Sequence, residues 1–373
     1  MVHPRVMRAM VAPVVGHLDP DFIAIMEGVK KLLRDLFQTA NDLTFPVSGT
    51  GSAGMETAIA NLIEPGDKAI VGVNGVFGGR LADCAERMGA AVNRIEAPWG
   101  EIIEPSKIAE ALKQSKKTKL VAIVHAETST GAWQPVEEIS RIAHDHGAML
   151  VLDAVTSLGC VPVEIDKWQV DVCYSCTQKG ISAPPGLAPV TFSQAARDLI
   201  RSRKQKCRSW YFDVSMIEQY WGNERVYHHT APITMIYALY EALRVLHDEG
   251  LEARFKRHRD NGAALNAGLA ALGLEPAAQE GHRLPQLAVA KTLAGIDEAA
   301  VRRELLTRYN IEIAGGLGPF RGKVWRIGLL GESSRRQYVS ALLAAIESII
   351  ASMGHEVRRG AAIAAADRVY ESA

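Results

Sequence analysis

Two ionisable residues, Asp153 and Lys179, follow apolar stretches that are typical of buried strands. Asp153 comes directly after Val151 and Leu152, and Lys179 comes shortly after the apolar segment from Val170 to Ser175. Open α/β sheets bind their ligands at the carboxyl ends of parallel strands. We therefore expect both side chains to reach one crevice at the edge of a sheet.

A lysine and an acid in one crevice are what pyridoxal 5′-phosphate requires. The lysine binds the cofactor aldehyde as an imine, and the acid lies against the pyridine nitrogen. Asp153 would keep that nitrogen protonated, so that the ring can accept electrons from a substrate Cα. A buried Lys179 would then move a proton between Cα and C4′. The pair alone leaves open a second interpretation, in which Asp153 caps a helix and Lys179 lies on the surface.

A glycine motif near the start of the chain allows two kinds of phosphate site. Gly49, Gly51 and Gly54 match G-x-G-x-x-G, which is typical of dinucleotide-binding folds. Such folds place an acid at the end of the next strand to hold the ribose, whereas this chain has Asn74 there. Asn74 therefore argues against a dinucleotide site. A third interpretation of the glycines is a tight strand-to-helix turn, which needs glycine for a positive φ.

The same loop suits a phosphate monoester better. Thr50, Gly51 and Ser52 would present backbone N–H groups and two hydroxyls at the start of a helix that we predict to begin near Met55. A helix N-terminus favours an anion because its N–H groups and its dipole both point toward the ligand. We expect this loop to hold the 5′-phosphate of the cofactor.

Two further strands are predicted to deliver polar or aromatic groups to the same edge. Phe77 follows the strand from Lys68 to Val73, and in a loop at that edge its ring could stack on the pyridine ring. Thr128 follows the strand from Leu120 to Val124 and could place its hydroxyl near the ring oxygen or the substrate carboxylate.

Alternating strands and helices predict an α/β fold with a mainly parallel sheet that is flanked by helices. We assign residues 1–248 to this large domain, and residues 249–373 to a smaller α/β C-terminal domain. The small domain is predicted to contain a helix from Glu298 to Tyr309 and a strand from Val324 to Ile327. The tail over 355–373 is apolar enough on one face for a final docked helix.

Composition narrows the possible partners. The 373 residues are 48% hydrophobic and carry a formal net charge of +0, which offers no general attraction for nucleic acid or anionic lipid. The chain has no apolar run of membrane-spanning length and no signal-peptide pattern. Five cysteines fit a reducing compartment, so a cytoplasmic protein is expected. Cys173 and Cys176 form C-x-x-C but would point to opposite faces of a strand, and no metal site is predicted.

The motifs together resemble a known family. They are, in chain order, SGTGSAGME, VNGVFG, HAETSTG, LDAVTSLG, SCTQKGISAPPG, YHHTAP and GKVWRIGLLG. Their order resembles the class V, fold-type I aminotransferases, in particular the alanine–glyoxylate and serine–pyruvate group. The resemblance covers nearly the whole chain. It implies the pyridoxal-phosphate-transferase fold of type I and a homodimer with its active sites at the subunit boundary.

The resemblance also implies a role for each matching position. Lys179 corresponds to the lysine that binds the cofactor, and Asp153 to the partner of its nitrogen. The other matching positions are Phe77 and Val155 on the two faces of the ring, Thr128 near the ring oxygen and the substrate, Thr50, Gly51, Ser52 and Gln178 at the phosphate, Tyr227 and Thr230 reaching the phosphate from the neighbouring subunit, and Arg326 on the substrate α-carboxylate.

Differences within the family narrow the reaction. Cysteine desulfurases have a cysteine in the C-terminal part and a histidine before the lysine, whereas this chain has Gln178 and no cysteine after Cys207. The ureidoglycine–glyoxylate branch is expected to carry asparagine at the position where this chain has Tyr227. We therefore expect ping-pong transamination from alanine or serine to glyoxylate or pyruvate. The alternatives are another class V transamination, such as that of (S)-ureidoglycine, an NAD(P)-dependent oxidoreductase, and a non-catalytic binding protein.

One departure concerns the substrate pocket. Relatives usually carry a Gly-Pro-rich segment just before the counterpart of His3, where this sequence has Met1 and Val2. Either the pocket is more open or another segment fills it.

Overall fold

The computed structural model describes residues 1–372. Its strands are β1 (Leu43–Ser48), β2 (Lys68–Val73), β3 (Ala91–Glu96), β4 (Thr118–Val124), β5 (Ala126–Glu127), β6 (Ala132–Trp133), β7 (Met149–Asp153), β8 (Val172–Tyr174), β9 (Leu187–Phe192), β10 (Leu287–Lys291), β11 (Ala314–Gly315) and β12 (Val324–Gly328). Its helices are α1 (Pro4–Ala9), α2 (Pro20–Phe37), α3 (Gly51–Leu62), α4 (Val76–Arg87), α5 (Pro105–Gln114), α6 (Glu137–Asp145), α7 (Gln194–Arg201), α8 (Val214–Trp221), α9 (Ile233–Glu249), α10 (Leu251–Ala271), α11 (Glu298–Tyr309), α12 (Arg336–Ser352) and α13 (Ala361–Ser372).

The large sheet has seven strands in the order β1-β9-β8-β7-β4-β2-β3. The strands from β3 to β8 pair in parallel, and only β9 runs antiparallel to both of its neighbours, so the predicted mainly parallel sheet is confirmed. A parallel return needs a long crossover, usually a helix. The connection from β8 to β9 contains no helix, and the chain turns back beside β8 instead. All the strands except β9 therefore end at the same edge.

Helix α2 shows how local sequence sets these elements. The Asp19 side chain accepts a hydrogen bond from the Asp21 N–H at 2.9 Å, and Pro20 occupies the first helical position. Phe22, Met26 and the apolar residues that follow at helical spacing are buried, and the helix packs against α9 and the edge strand β1. Both the capping residue and the apolar face of this helix are therefore set by residues close together in the sequence.

The smaller C-terminal region has its own antiparallel sheet, in the order β10-β12-β11, covered by α10, α11, α12 and α13. Trp325 is fully buried at its centre and donates a hydrogen bond from Nε1 to the Glu298 carbonyl at 3.2 Å. The predicted helix from Glu298 to Tyr309 is confirmed.

The predicted C-terminal helix is present as α13, which packs along α10. The Tyr370 hydroxyl donates a hydrogen bond to the Asn261 side-chain oxygen at 2.7 Å, and Ala362 and Ala366 are buried. Ala373 lies outside the described residues. Across residues 1–372, no helix combines the length and apolar character that crossing a membrane requires.

Candidate active site

A cavity of about 220 Å³ opens at the edge where the parallel strands end. Its walls contain eight of the residues singled out in the sequence: Thr50, Gly51, Ser52, Phe77, Asp153, Val155, Gln178 and Lys179. A larger cavity of about 750 Å³ lies beside Trp133 and Trp168, but contains none of them. The smaller cavity is therefore the candidate site, because it is the one that collects reactive groups.

Asp153, the last residue of β7, lies in the wall of this cavity and is only 6% exposed. Its Oδ1 accepts a hydrogen bond from the Val155 N–H and its Oδ2 accepts one from the Tyr174 hydroxyl, both at 2.8 Å. Burial raises the pKa of Asp153 to about 6; the two hydrogen bonds oppose this rise, and the charge of Glu127 adds to it. Within residues 1–372 this carboxylate has no ion-pair partner, which fits a cationic ring nitrogen.

Lys179 lies in the turn that follows β8. The side chain is half-buried rather than buried as expected, and its amine has no hydrogen-bond or ion-pair partner within the described chain. The turn itself is well fixed, because the Ser182 N–H donates to the Lys179 carbonyl at 3.0 Å. A Cβ atom on Gly180 would lie 2.1 Å from the Leu158 carbonyl oxygen, so the close packing of this turn requires glycine.

The expected phosphate loop lies at the start of α3, which begins at Gly51 and not near Met55 as predicted. Gly49 turns the chain with a φ of +149°, and Thr50 adopts an extended conformation just before the helix. The N–H groups of the first helical turn have no intrahelical acceptor. A Cβ on Gly51 would lie 3.2 Å from a Val155 methyl, which is tighter than an ordinary contact, so the loop packs closely on the cavity wall.

Phe77 lies in the first turn of α4, whereas the sequence predicted a loop. Gly75 precedes this helix and has no side chain to cap it. Instead the buried Glu127 carboxylate accepts hydrogen bonds from the Phe77 and Gly78 N–H groups at 3.0 and 3.1 Å. Burial raises the pKa of Glu127, against the lowering effect of its hydrogen bonds. This distant cap fixes Phe77 against the cavity.

Arg326 and Thr128 lie next to each other but do not line the cavity. The Arg326 side chain donates from Nε to the Gly315 carbonyl at 2.7 Å and from Nη1 to the Thr128 carbonyl at 3.4 Å. Burial lowers the pKa of Arg326, and Glu127 opposes that effect. Within residues 1–372 no carboxylate pairs with this guanidinium.

Tyr227 and Thr230 are not brought to the cavity of their own chain. The Tyr227 side chain is 57% exposed, and its hydroxyl lies 3.3 Å from the Thr230 hydroxyl. The ring of Tyr227 lies 5.3 Å from that of His17. Both residues therefore face outward from this chain.

Sequence reasoning missed three residues of the site: Tyr174, Glu127 and Arg80. Tyr174 pairs in register with Asp153 across two parallel strands, so a correct strand alignment could have found it. Glu127 was visible only as the acid of the motif HAETSTG. Arg80 lines the cavity, and its guanidinium lies 5.1 Å from the centre of the Phe77 ring. The i, i+3 spacing on α4 could have indicated that contact.

Comparison with known proteins places these features in a family. The sequence profile described as aminotransferase class-V matches residues 5–319. The (S)-ureidoglycine–glyoxylate transaminase of Bacillus subtilis is 40% identical over 100% of this chain and 94% of its own length. The alanine–glyoxylate aminotransferase of Drosophila melanogaster is 39% identical over 93% of this chain and 89% of its own.

A solved structure agrees with the sequence comparison. The alanine–glyoxylate aminotransferase of Nostoc sp. superimposes with a TM-score of 0.92 at 47% identity, covering 94% of this chain and 92% of that one. The chain therefore belongs to the class V aminotransferases, which are pyridoxal-phosphate-dependent enzymes of fold type I.

Proposed function

We propose that this enzyme transfers an amino group from alanine or serine to glyoxylate or pyruvate. The observation that carries the proposal is the cavity in which the Lys179 amine and the Asp153 carboxylate both lack a charged partner within residues 1–372. The names of the relatives in Drosophila melanogaster and Nostoc sp. support this choice of substrates.

The roles of the residues follow from their chemistry. When bound, pyridoxal phosphate supplies an electron-accepting ring and a carbonyl carbon that carries the amino group. Asp153 holds a proton on the ring nitrogen, and Lys179 moves a proton from the substrate Cα. Phe77 and Val155 pack on the two faces of the ring. Thr50, Gly51, Ser52 and Gln178 bind the phosphate, in part through the N–H groups at the start of α3.

Substrate orientation is assigned to Arg326 and Thr128. A guanidinium can bind a carboxylate with two parallel hydrogen bonds, which fixes the Cα–H bond relative to the ring as well as adding affinity. Two backbone carbonyls already orient the Arg326 fork, and no carboxylate of residues 1–372 pairs with it. We assign to Thr128 a place near the substrate and the ring oxygen.

The proposal is tested by mixing the purified enzyme with L-alanine or L-serine and following the cofactor absorbance, and then by measuring glycine formed from glyoxylate. Conversion of the absorbance by either donor, and its loss in a Lys179→Ala variant, is the expected result. A protein that binds the cofactor but converts no amino donor would be the non-catalytic alternative, and would overturn the proposal.

A second candidate is transamination of (S)-ureidoglycine. The relative in Bacillus subtilis carries that name and matches the whole chain at 40% identity. Tyr227 favours the first candidate, because the ureidoglycine branch is expected to carry asparagine at this position. Comparing kcat/KM for alanine, serine and (S)-ureidoglycine with glyoxylate as acceptor distinguishes the two.

We further propose a homodimer in which Tyr227 and Thr230 reach the phosphate of the neighbouring subunit. Their exposure and the apolar groups near them, including Trp210 at 60% exposed and Val226 at 46%, support an intersubunit surface. Mixed dimers of a Lys179→Ala chain and a Tyr227→Ala chain would contain one complete site. Recovery of activity on mixing the two inactive variants is expected, and no recovery would contradict shared sites.

The domain boundary and the cellular location are also proposed. We place the domain boundary at residues 248/249, because α9 packs in the core of the large sheet and α10 in the core around Trp325. We also propose a cytoplasmic location, since all five cysteines are free, as in a reducing compartment. Fractionation of the source cells tests the second point.

A further inference from the structure

One buried arginine, Arg254, binds the turn that carries Lys179. Arg254 lies in the first turn of α10 and is 3% exposed. Its Nε donates to the Gly159 carbonyl at 2.7 Å, and its Nη2 donates to the Gly180 carbonyl. Its Nη1 forms an ion pair with Glu249 at 2.7 Å. All three nitrogens of the guanidinium are therefore engaged.

The two carbonyls belong to the turns that hold the reactive groups. Gly180 directly follows Lys179, and Gly159 lies in the segment that follows Asp153. The two turns are in direct contact, because a Cβ on Gly180 would lie 2.8 Å from the Cys160 sulfur. The Arg254 guanidinium thus fixes the lysine turn against the aspartate turn.

Burying this charge is unfavourable in itself. Burial lowers the pKa of Arg254, and the Glu249 charge only opposes that effect. Replacing a buried ion pair by apolar residues is often neutral or stabilising, so stability alone gives little reason for an arginine here. A planar guanidinium, however, can donate to two carbonyls in a fixed geometry.

The small domain contacts the lysine turn a second time. The Glu332 N–H donates to the Ser182 hydroxyl of this turn at 2.8 Å. The neighbouring Gly331 N–H donates to His258 Nε2 of α10 at 3.0 Å, which attaches this segment to the small domain. Gly331 and Glu332 follow β12, the strand that carries Arg326. The turn of Lys179 is thus bound by the same domain that carries Arg326.

We propose that Arg254 is a positioning residue that keeps the Lys179 amine at the height and angle that proton transfer from the substrate requires. This rests on the function proposed for Lys179. Misplacing a catalytic group by about 1 Å can cost about a hundred-fold in rate. Loss of the clamp should therefore lower kcat and leave KM nearly unchanged, because the phosphate loop and Arg326 are not touched.

Three variants separate geometry from charge and from stability. Arg254→Lys keeps the charge but loses the planar fork, and Arg254→Met loses both. Arg257→Met is the matched control. Arg257 pairs with the same Glu249 at 2.6 Å and donates to the Gly331 and Ser334 carbonyls. It makes no hydrogen bond to the turn of Lys179 and reaches that turn only through the segment of Gly331 and Glu332. If Arg254→Met is insoluble, Arg254→Lys decides the question.

Two readouts are used on the enzyme as purified: kcat and KM, and the amide hydrogen exchange of the peptide that contains Lys179 and Ser182. Both Arg254 variants should exchange at least about ten times faster in this peptide and lose about ten- to a hundred-fold in kcat. Arg257→Met should change both much less than the Arg254 variants do, because it reaches the turn of Lys179 only through the Gly331 segment. Wild-type exchange and kcat in Arg254→Lys, or equal changes in Arg257→Met, overturn the proposal.

Failure of the proposed function gives a different result. If the wild type converts no amino donor, the assigned reaction is wrong and only the exchange measurement remains. The clamp then stands if the Arg254 variants exchange faster than Arg257→Met, and falls if they do not.

Discussion

Replacing Asp153 by asparagine should make the cofactor-free protein more stable relative to wild type as the pH rises, and should slow the enzyme. The wild-type carboxylate has its folded-state pKa raised to about 6 from 3.8, mainly by burial. Between those two values the folded state binds the proton more tightly than the unfolded state. The free energy of unfolding therefore falls as the pH rises through this window, and the loss is complete above it.

The size of the effect follows from the shift. About two pKa units correspond to about 3 kcal/mol above the window, since one unit equals about 1.36 kcal/mol. Roughly half of this develops between about pH 5 and pH 7.5. Asparagine keeps the shape and can still accept one hydrogen bond from Val155 or Tyr174, but does not ionise. Asp153→Asn should thus gain stability relative to wild type as the pH rises.

Urea unfolding of the cofactor-free wild type and Asp153→Asn at about pH 5 and pH 7.5 measures this difference. With cofactor bound, the variant should lose about one to two orders of magnitude in kcat, because no charge holds the ring nitrogen protonated. If the stability difference does not change with pH, the raised pKa of Asp153 is wrong; if the variant has wild-type kcat, Asp153 does not assist catalysis.

Three other changes test neighbouring contacts. Tyr174→Phe removes a hydrogen bond to the ionised Asp153 carboxylate, so the pKa of Asp153 should rise. The acidic limb of the kcat/KM profile should then move up by about one pH unit, and an unmoved limb would contradict this. Glu127→Gln replaces one carboxylate oxygen, which accepts hydrogen bonds, by an amide NH₂ group, which cannot accept them. The free energy of unfolding in urea should therefore fall by about 1–3 kcal/mol. An unchanged unfolding midpoint would contradict the capping role of Glu127. Arg326→Lys keeps the charge but loses the two-point geometry, so the KM for the amino donor should rise about ten-fold at an unchanged melting temperature; an unchanged KM removes Arg326 from the site.

The parts of the site that follow strands were predictable from sequence. Asp153 and Lys179 each follow an apolar stretch, and topology brings the ends of parallel strands together. The same rule placed Thr50 and Phe77 at the cavity, although Phe77 lies in a helix and not in the predicted loop. None of these inferences needs more than local pattern and one rule of α/β folds.

The starts of α3 and α4 were missed because their caps are not local. Thr50 makes no side-chain capping hydrogen bond, and Gly75 has no side chain to offer. Sequence-based prediction of a helix start depends on a capping residue beside the helix. The cap of α4 comes from Glu127, about fifty residues away.

Arg254 and Tyr174 were missed for a related reason. The contact of Arg254 with Gly180 spans 74 residues, and that of Tyr174 with Asp153 spans 21. Such contacts depend on domain packing and strand register, which a local pattern does not carry. The sequence therefore indicates which groups are proposed to react, whereas the structure indicates which contacts hold their segments in place.

The lysine to which the cofactor is attached can be identified directly. The enzyme is reduced with borohydride, which fixes the bound cofactor to its lysine, and is then digested and analysed by mass spectrometry. We expect one modified peptide, which contains Lys179, and no modification in Lys179→Ala. Modification of a different lysine, or none, would contradict it.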